Sequence, residues 1–344
     1  MNNREIKGKS EIANSVKLPK IISLFCGAGG LDLGFIQEGF EVVAAIDLEQ
    51  SAIETHKKNF PKCNSIASDL TVLGPKGVNQ YIKKFLTPGE HVAIIGGPPC
   101  QGFSRSNPTA DSEDPRNHLP KLYVQIIREL QKDFVIDFVV FENVLGMKDR
   151  KHSAKYLALI KGLKRLKFEI FENELCAVDY GVPQNRERIV IAAIRSSNEQ
   201  SEFKIEKNKG IKTVREAIGN LGDPVYFKKN ITASDIPFHP NHWTMQPKSV
   251  KFKTPMKFNS KSRSFKLLDW DKASPTIAFG NREIHIHPSG KRRLSIYEAM
   301  LLQGFPSSFI LEGNLSQQVK QVSNAVPPPL AKSVAAAVKS SLHF

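Results

Sequence analysis

Short apolar runs that alternate with helix-like stretches through the first half of the chain confine it to a parallel α/β sheet. Ile21-Ile-Ser-Leu-Phe25 reads as a buried strand, followed by a glycine-rich turn and a helix over 31–38. Glu41 to Asp47 reads as a second strand and Ala52 to Asn59 as a second helix. His91 to Ile95 and Phe134 to Phe141 are later strands, with a helix over 122–131 between them. The pattern then changes. Phe168 to Ala177 and Arg188 to Ile194, joined through Gly181-Val-Pro-Gln184, read as an antiparallel pair at the sheet edge. From about Ser196 the rhythm is lost and prolines and basic residues become frequent, which marks a domain boundary. Leu330 to Leu342 closes the chain as an Ala-rich helix.

The 344 residues carry 49 Lys and Arg against 34 Asp and Glu, a formal net charge of +15, and 40% of them are apolar. That apolar fraction supplies a core and excludes wholesale disorder and collagen-like repetition. The basic excess points first to a polyanionic partner, nucleic acid foremost. Between Gln246 and Lys266 cations recur without an acidic residue, interleaved with Phe252, Phe258 and Phe265. Both a solvated basic loop and a phosphate-contact surface fit that run. No apolar run approaches the ~18 residues that span a bilayer, and the N-terminus lacks the apolar stretch of a signal peptide. A cytoplasmic protein with no membrane partner is expected. Cys26, Cys63, Cys100 and Cys176 are scattered without CxxC pairing, which argues against a disulfide framework and a zinc site. His239, His242, His285 and His287 have no supporting Cys or carboxylate cluster, so no metal is expected.

Phe25-Cys-Gly27-Ala-Gly29-Gly30 follows a buried strand and opens a helix, which places close-approach glycines at the carboxyl edge of the sheet. Asp47 ends the next strand 20 residues after Gly27, the offset at which a carboxylate meets a ribose diol. Asp32 stands where the dinucleotide fingerprint has its third glycine, which disfavours a dehydrogenase. A nucleoside without phosphates, such as S-adenosylmethionine, fits better than NAD. A purely structural tight turn is the alternative.

Gly96-Gly-Pro-Pro-Cys100-Gln-Gly-Phe-Ser104 lies just beyond a strand at the same edge, with two prolines fixing the backbone ahead of the thiol. Phe141-Glu-Asn-Val144 follows the next strand and projects Glu142 from an apolar run. Desolvation there favours the protonated carboxyl, as suits an acid that donates to a substrate ring. Gln184-Asn-Arg186-Glu-Arg188 places two guanidiniums on one face of an extended segment, able to clamp a carbonyl, a carboxylate or a phosphate. Taken singly, Cys100 also reads as a core cysteine and Glu142 as a cap on backbone amides.

Together these segments resemble the DNA (cytosine-5) methyltransferase family, of bacterial restriction-modification type, over nearly the whole chain and in the family's usual order. Phe25-x-Gly-x-Gly-Gly resembles its first motif, and Asp47 and Ser68-Asp69-Leu70 the next two. Pro98-Pro99-Cys100 resembles the nucleophile motif, Glu142-Asn143-Val144 the carboxylate motif and Gln184-x-Arg186-x-Arg188 the paired-arginine motif. Arg292-x-Leu294-Ser295-x-x-Glu298 with Leu302-Gln-Gly-Phe-Pro306, and Gln321-Val-Ser-Asn324-Ala-Val-Pro327, resemble the ninth and tenth. Ser323 stands where the family usually has Gly. A turn requiring positive φ there would cost on the order of 1 kcal/mol and weaken cofactor binding.

The resemblance implies a Rossmann-like S-adenosylmethionine-dependent methyltransferase domain over 1–196 and 318–344. A smaller, irregular target-recognition domain and hinge would occupy 197–317. It implies catalytic roles for Cys100, Glu142, Arg186 and Arg188. Cofactor contacts would come from Phe25, Gly27, Gly29, Gly30, Asp47, Asp69, Pro98 and Asn324. Gln101, Ser104, Arg116, Asn143, Gln184 and Thr276 would bind substrate, which is duplex DNA with its target cytosine flipped out. Gln101 to His118 would form a mobile catalytic loop. A monomer associated with a prokaryotic nucleoid and paired with a restriction endonuclease is the expected setting. An RNA cytosine-5 methyltransferase is disfavoured because the chain has no cysteine beyond Cys176 for the Cys-Phe-Thr element of the tRNA-directed relatives. Amino-methylating enzymes are disfavoured by Cys100 in their aromatic position. A non-catalytic DNA-binding member would be expected to lack Cys100 or Glu142.

Overall fold

The computed structural model describes residues 18–99, 118–195, 203–208, 210–228, 231–247, 252, 265–276 and 285–342. In chain order the strands are β1 Lys20–Leu24, β2 Val42–Asp47, β3 Asn64–Ala67, β4 His91–Gly96, β5 Val135–Asn143, β6 Phe168–Cys176, the two-residue β7 Gln184–Asn185 and β8 Glu187–Arg195. All but β7 join one sheet in the order β3-β2-β1-β4-β5-β8-β6. The first five are mutually parallel, while β8 runs antiparallel to both β5 and β6. The antiparallel pair expected at the edge is therefore present, with the reversed β8 inside and β6 outermost.

Helices cover both faces. On one side lie α1 Gly30–Gln37 and α2 Gln50–Asn59, and on the other α3 Leu70–Ile82, α4 Leu119–Leu130 and α5 Ser153–Arg165. Strand residues alternate between the two layers: Ala93 and Ile95 face the first, Val92 and Ile94 the second. Because both faces are covered, the inner strands β1, β2, β4 and β5 are largely apolar, which is why they read as near-continuous runs. The chain's last helices, α7 Ile296–Leu302, α8 Leu315–Asn324 and α9 Pro328–Ser340, complete the first layer. α9 crosses α1 at Gly34, where a Cβ would fall 2.4 Å from Ala331 Cβ, so the crossing requires glycine.

The described residues between β8 and α7 form only short elements. They include α6 Val214–Ile218 and the short strands β9 Val225–Tyr226, β10 Trp243–Thr244, β11 Lys266–Leu267, β12 Ser274–Pro275 and β13 His285–Ile286. β9 pairs with β10, β11 with β13, and β12 with β7. Leu294, Ile296, Met300, Phe305 and Leu311 share one apolar cluster with Phe35 and Phe138. That stretch packs on the sheet layer, although the sequence reading places it in the recognition domain and hinge. No helix among the described residues is long and apolar enough to cross a membrane.

Candidate active site

The carboxyl ends of β1, β2, β4 and β5 bring four of the sequence motifs to one edge. After β1 the backbone takes positive φ at Phe25 (55°), Gly27 (54°) and Gly29 (87°). A phenylalanine held there is strained, a state that persists only where surrounding contacts impose it. A Cβ at Gly27 would meet nothing within 4 Å, so the loop fronts open space, whereas one at Gly30 would lie 2.3 Å from Val326 O in the turn between α8 and α9. Asp47 Oδ2 accepts from Gly27 N–H at 2.8 Å and Oδ1 from Glu49 N–H at 2.9 Å. Burial raises the Asp47 pKa, and these two amides oppose the rise. Asp69 caps α3, its Oδ1 accepting from the Thr71 amide and hydroxyl at 2.8 and 2.7 Å, contacts that lower its pKa.

Asp32 is fully buried, accepting from Ser23 Oγ at 2.6 Å and meeting His56 Nε2 at 2.7 Å, while His56 Nδ1 meets Ser65 Oγ at 2.8 Å. The residue that breaks the dinucleotide fingerprint thus ties β1, α1, α2 and β3 together behind the loop. Cys26 lies close enough for its sulfur, Asp32 and His56 to fall within 4.8 Å of one another, but the carboxylate and the ring are already engaged.

At the end of β5, Glu142 is 7% exposed and its Oε1 lies 2.8 Å from Arg188 Nε. The antiparallel register sets Asn143 opposite Ile189, which delivers Arg188 to this carboxylate. Burial raises the Glu142 pKa, with the charges of Arg188 and Arg186 acting against it. A Cβ at Gly97 would sit 2.8 Å from Glu142 Oε2, so the turn after β4 passes directly over the acid. Asn143 Nδ2 donates to Pro98 O at 3.2 Å and holds that turn, which runs through exposed Pro99 to Cys100. Cys100, Gln101, Ser104 and Arg116 themselves lie outside the described residues, as does nearly all of the expected catalytic loop.

The profile of the C-5 cytosine-specific DNA methylases matches residues 19–340. The chain belongs to this family. It is 33% identical to the type II methyltransferase M.MthTI of Methanothermobacter thermautotrophicus, covering 94% of this chain and 98% of that one. Against M.NmeDI of Neisseria meningitidis serogroup C the identity is 32%, over 94% and 84% of the two chains. The fold matches a prophage-encoded E. coli protein assigned as a DNA modification methyltransferase, with TM-score 0.77, 24% identity and coverage of 94% and 99%. It also matches the Entamoeba histolytica methyltransferase EhMeth, with TM-score 0.66, 17% identity and coverage of 95% and 100%.

This cytosine-5 methyltransferase therefore moves a methyl group from S-adenosylmethionine to C5 of a cytosine in DNA, and the family does so through a covalent cysteine adduct on a flipped-out base. Its paired-arginine segment makes contacts within the protein. Arg186, buried, donates Nη2 to Ser323 O at 2.9 Å, while Arg188 pairs with Glu142. Gln184 is fully buried with its amide on Gln303, and Thr276 Oγ donates to Asn185 O at 2.6 Å. Gln184, Asn143 and Thr276 thus make framework contacts in this structure. Ser323 corrects an expectation: it lies inside α8 without positive φ, so serine there carries no backbone strain. Asn324, exposed, ends α8 just before the turn that abuts Gly30.

In the ninth motif Arg292 donates to both oxygens of Glu298 at 2.8 Å, and Glu298 closes a capping box with Ser295. Two of the four histidines that tempt a metal reading make contacts within the framework. His239 bonds Phe309 O and stacks on Tyr297 at 4.0 Å, and His242 bridges Ser295 Oγ and Gly222 O. The sequence reading did not single out Leu48, which is 63% exposed directly after Asp47.

Proposed function

We propose that this enzyme methylates one short duplex sequence as the modification partner of a restriction endonuclease, working as a monomer on nucleoid DNA. Its relatives bear type II names over nearly equal lengths, which supports that reading. The observation that carries the site assignment is the buried Glu142–Arg188 pair at the end of β5, beside the rigid turn that leads into Cys100.

In this reading the sheet body binds cofactor and target base, and the segment over 203–292 contacts DNA. Phe25, Gly27, Gly29, Gly30, Pro98 and Asn324 line the cofactor cleft. Asp47 receives the ribose hydroxyls on the carboxylate lone pairs left by its two amide bonds, Asp69 the adenine amine, and exposed Leu48 covers an adenine face. The open space before Gly27 and the carboxylate of Asp47 fit a nucleoside without phosphates. S-adenosylmethionine, when bound, supplies an electrophilic methyl group.

The Cys100 thiolate bonds to cytosine C6 and pushes electron density onto C5. Glu142, whose protonated form burial favours, donates at N3 and accepts from the exocyclic amine, while Arg188 orients the acid and reaches the O2 side. After methyl transfer the C5 proton leaves and the thiolate is eliminated, which restores the aromatic ring. Gln101, Ser104 and Arg116 close over the flipped nucleotide. The test is transfer of labelled methyl to unmethylated duplex DNA, with bisulfite sequencing of the product and Cys100→Ser in parallel. Cys100-dependent 5-methylcytosine in one short context supports the proposal; equal transfer by the variant overturns it.

A further inference from the structure

β7 is two residues long, yet the recognition segment and the cofactor loop both reach it. Gln184 Nε2 donates to Gln303 Oε1 at 2.8 Å, and Gln303 Nε2 donates in turn to Val322 O at 2.5 Å and Ala325 O at 3.1 Å. Both glutamines are fully buried. Those carbonyls end α8, and the next residue presents the Val326 O that presses on Gly30. From the other side β12 pairs in parallel with β7, Ser274 opposite Gln184, and Thr276 is bonded to Asn185 O.

Two polar atoms in this ladder have no hydrogen-bond partner among the described residues: Gln184 Oε1 and Ser274 Oγ. The residues are 0% and 1% exposed, so neither atom is satisfied at the surface. Buried and unpaired, each is unfavourable. They are complementary, an acceptor and a hydroxyl donor, and they belong to register partners whose side chains project to the same face. A hydrogen bond between them would complete the ladder while leaving the Gln303 contacts intact.

We propose that Ser274 is a positioning residue for methyl transfer. When DNA seats on the recognition segment, β12 settles onto β7 and the Ser274 hydroxyl donates to Gln184 Oε1. The completed line from Ser274 through Gln184 and Gln303 then fixes the α8–α9 turn against Gly30 and tightens the cofactor cleft. The inference rests on the reading that the segment over 203–292 contacts DNA. By linkage, DNA raises cofactor affinity by the same factor as cofactor raises DNA affinity. That differential contact is what any shift between the two states requires.

The experiment is calorimetric titration of S-adenosylhomocysteine into the full chain, with and without a duplex carrying the site found by bisulfite sequencing. In wild type, DNA should raise the affinity at least about fivefold, the lower end of ordinary coupling. In Ser274→Ala that factor should fall to near one. Affinity without DNA should stay unchanged, and thermal stability should be equal or higher because an unpaired buried hydroxyl is gone. A merely structural serine would leave the coupling factor alone. The wild-type factor persisting in Ser274→Ala, or no factor in wild type that binds DNA, overturns the proposal. Failure of the wild type to bind the duplex at all would overturn the DNA-contact reading instead.

Discussion

At the scale of single residues, the proposed chemistry turns on Glu142. Its burial favours the neutral acid, and the guanidinium 2.8 Å away restrains that preference. Glu142→Gln keeps the volume but loses the acidic proton that a carboxyl can transfer, so kcat should fall by roughly 10²- to 10⁴-fold, the usual span for a general acid. Single-turnover methyl transfer measures it, and a loss under tenfold would remove the acid role. Arg188→Met takes away a charge that lowers the Glu142 pKa, so that pKa should rise and the basic limb of the pH–rate profile for kcat/KM should move to higher pH. A limb that stays in place would mean another group titrates there. Glu142 was legible because a carboxylate ending an apolar run is rare without a purpose. The partners of the paired-arginine segment were not. Gln184 meets Gln303 and Arg186 meets Ser323 across 119 and 137 residues of chain, and no local pattern encodes such pairings. Asp32 was legible only as a departure from a fingerprint, since its partners Ser23 and His56 come from two other elements.

At the scale of elements, β1, β2, β4 and β5 were readable because burial on both faces makes them largely apolar, α2, α4 and α9 because one face is, and α1 because it follows the glycine turn as a mostly apolar stretch. β3 has four residues and includes Asn64 and Ser65, too short and too polar to stand out. α3 is broken by Gly74 and Pro75, and α5 carries Gly162 inside it and Leu157 exposed. Gly162 is there for packing, since a Cβ would lie 2.8 Å from Val124 Cγ1 of α4. The same conflict between local preference and packing gives a prediction at Gly34. Helix propensity alone predicts that Gly34→Ala stabilises α1 by about 1 kcal/mol. The new Cβ would lie 2.4 Å from both Ala331 Cβ and the backbone nitrogen of Lys332, and backbone cannot step aside. Overpacking of this kind costs about 1–3 kcal/mol, so the variant should be less stable by urea unfolding. A rise in its urea midpoint would show that α1 and α9 part easily, and that the glycine loop is held from elsewhere.

At the scale of the whole molecule, a net charge of +15 acts on a partner that carries one negative charge per ~1.7 Å of duplex axis. Each phosphate neutralised by a lysine or arginine releases condensed counterions, so affinity falls with salt by roughly 0.9 logarithmic units per tenfold salt increase for each contact. Lys248, Lys251, Lys253 and Lys257 lie outside the described residues, and only their density in the sequence argues that they meet the backbone. If they do, replacing all four by Gln should flatten the salt slope by about 3–4 units and weaken binding to every duplex alike. The methylated sequence context read by bisulfite should not change, because phosphate contacts position the protein without reading bases. Affinity for S-adenosylhomocysteine alone should also stay constant, since the cofactor cleft proposed above lies at the carboxyl edge of β1 and β2. An unchanged slope in the quadruple variant would assign the run to solvent and shift the phosphate contacts to other cations of the chain. A changed sequence context would instead place these lysines against base edges, and the recognition segment would read DNA partly through the residues that make it basic.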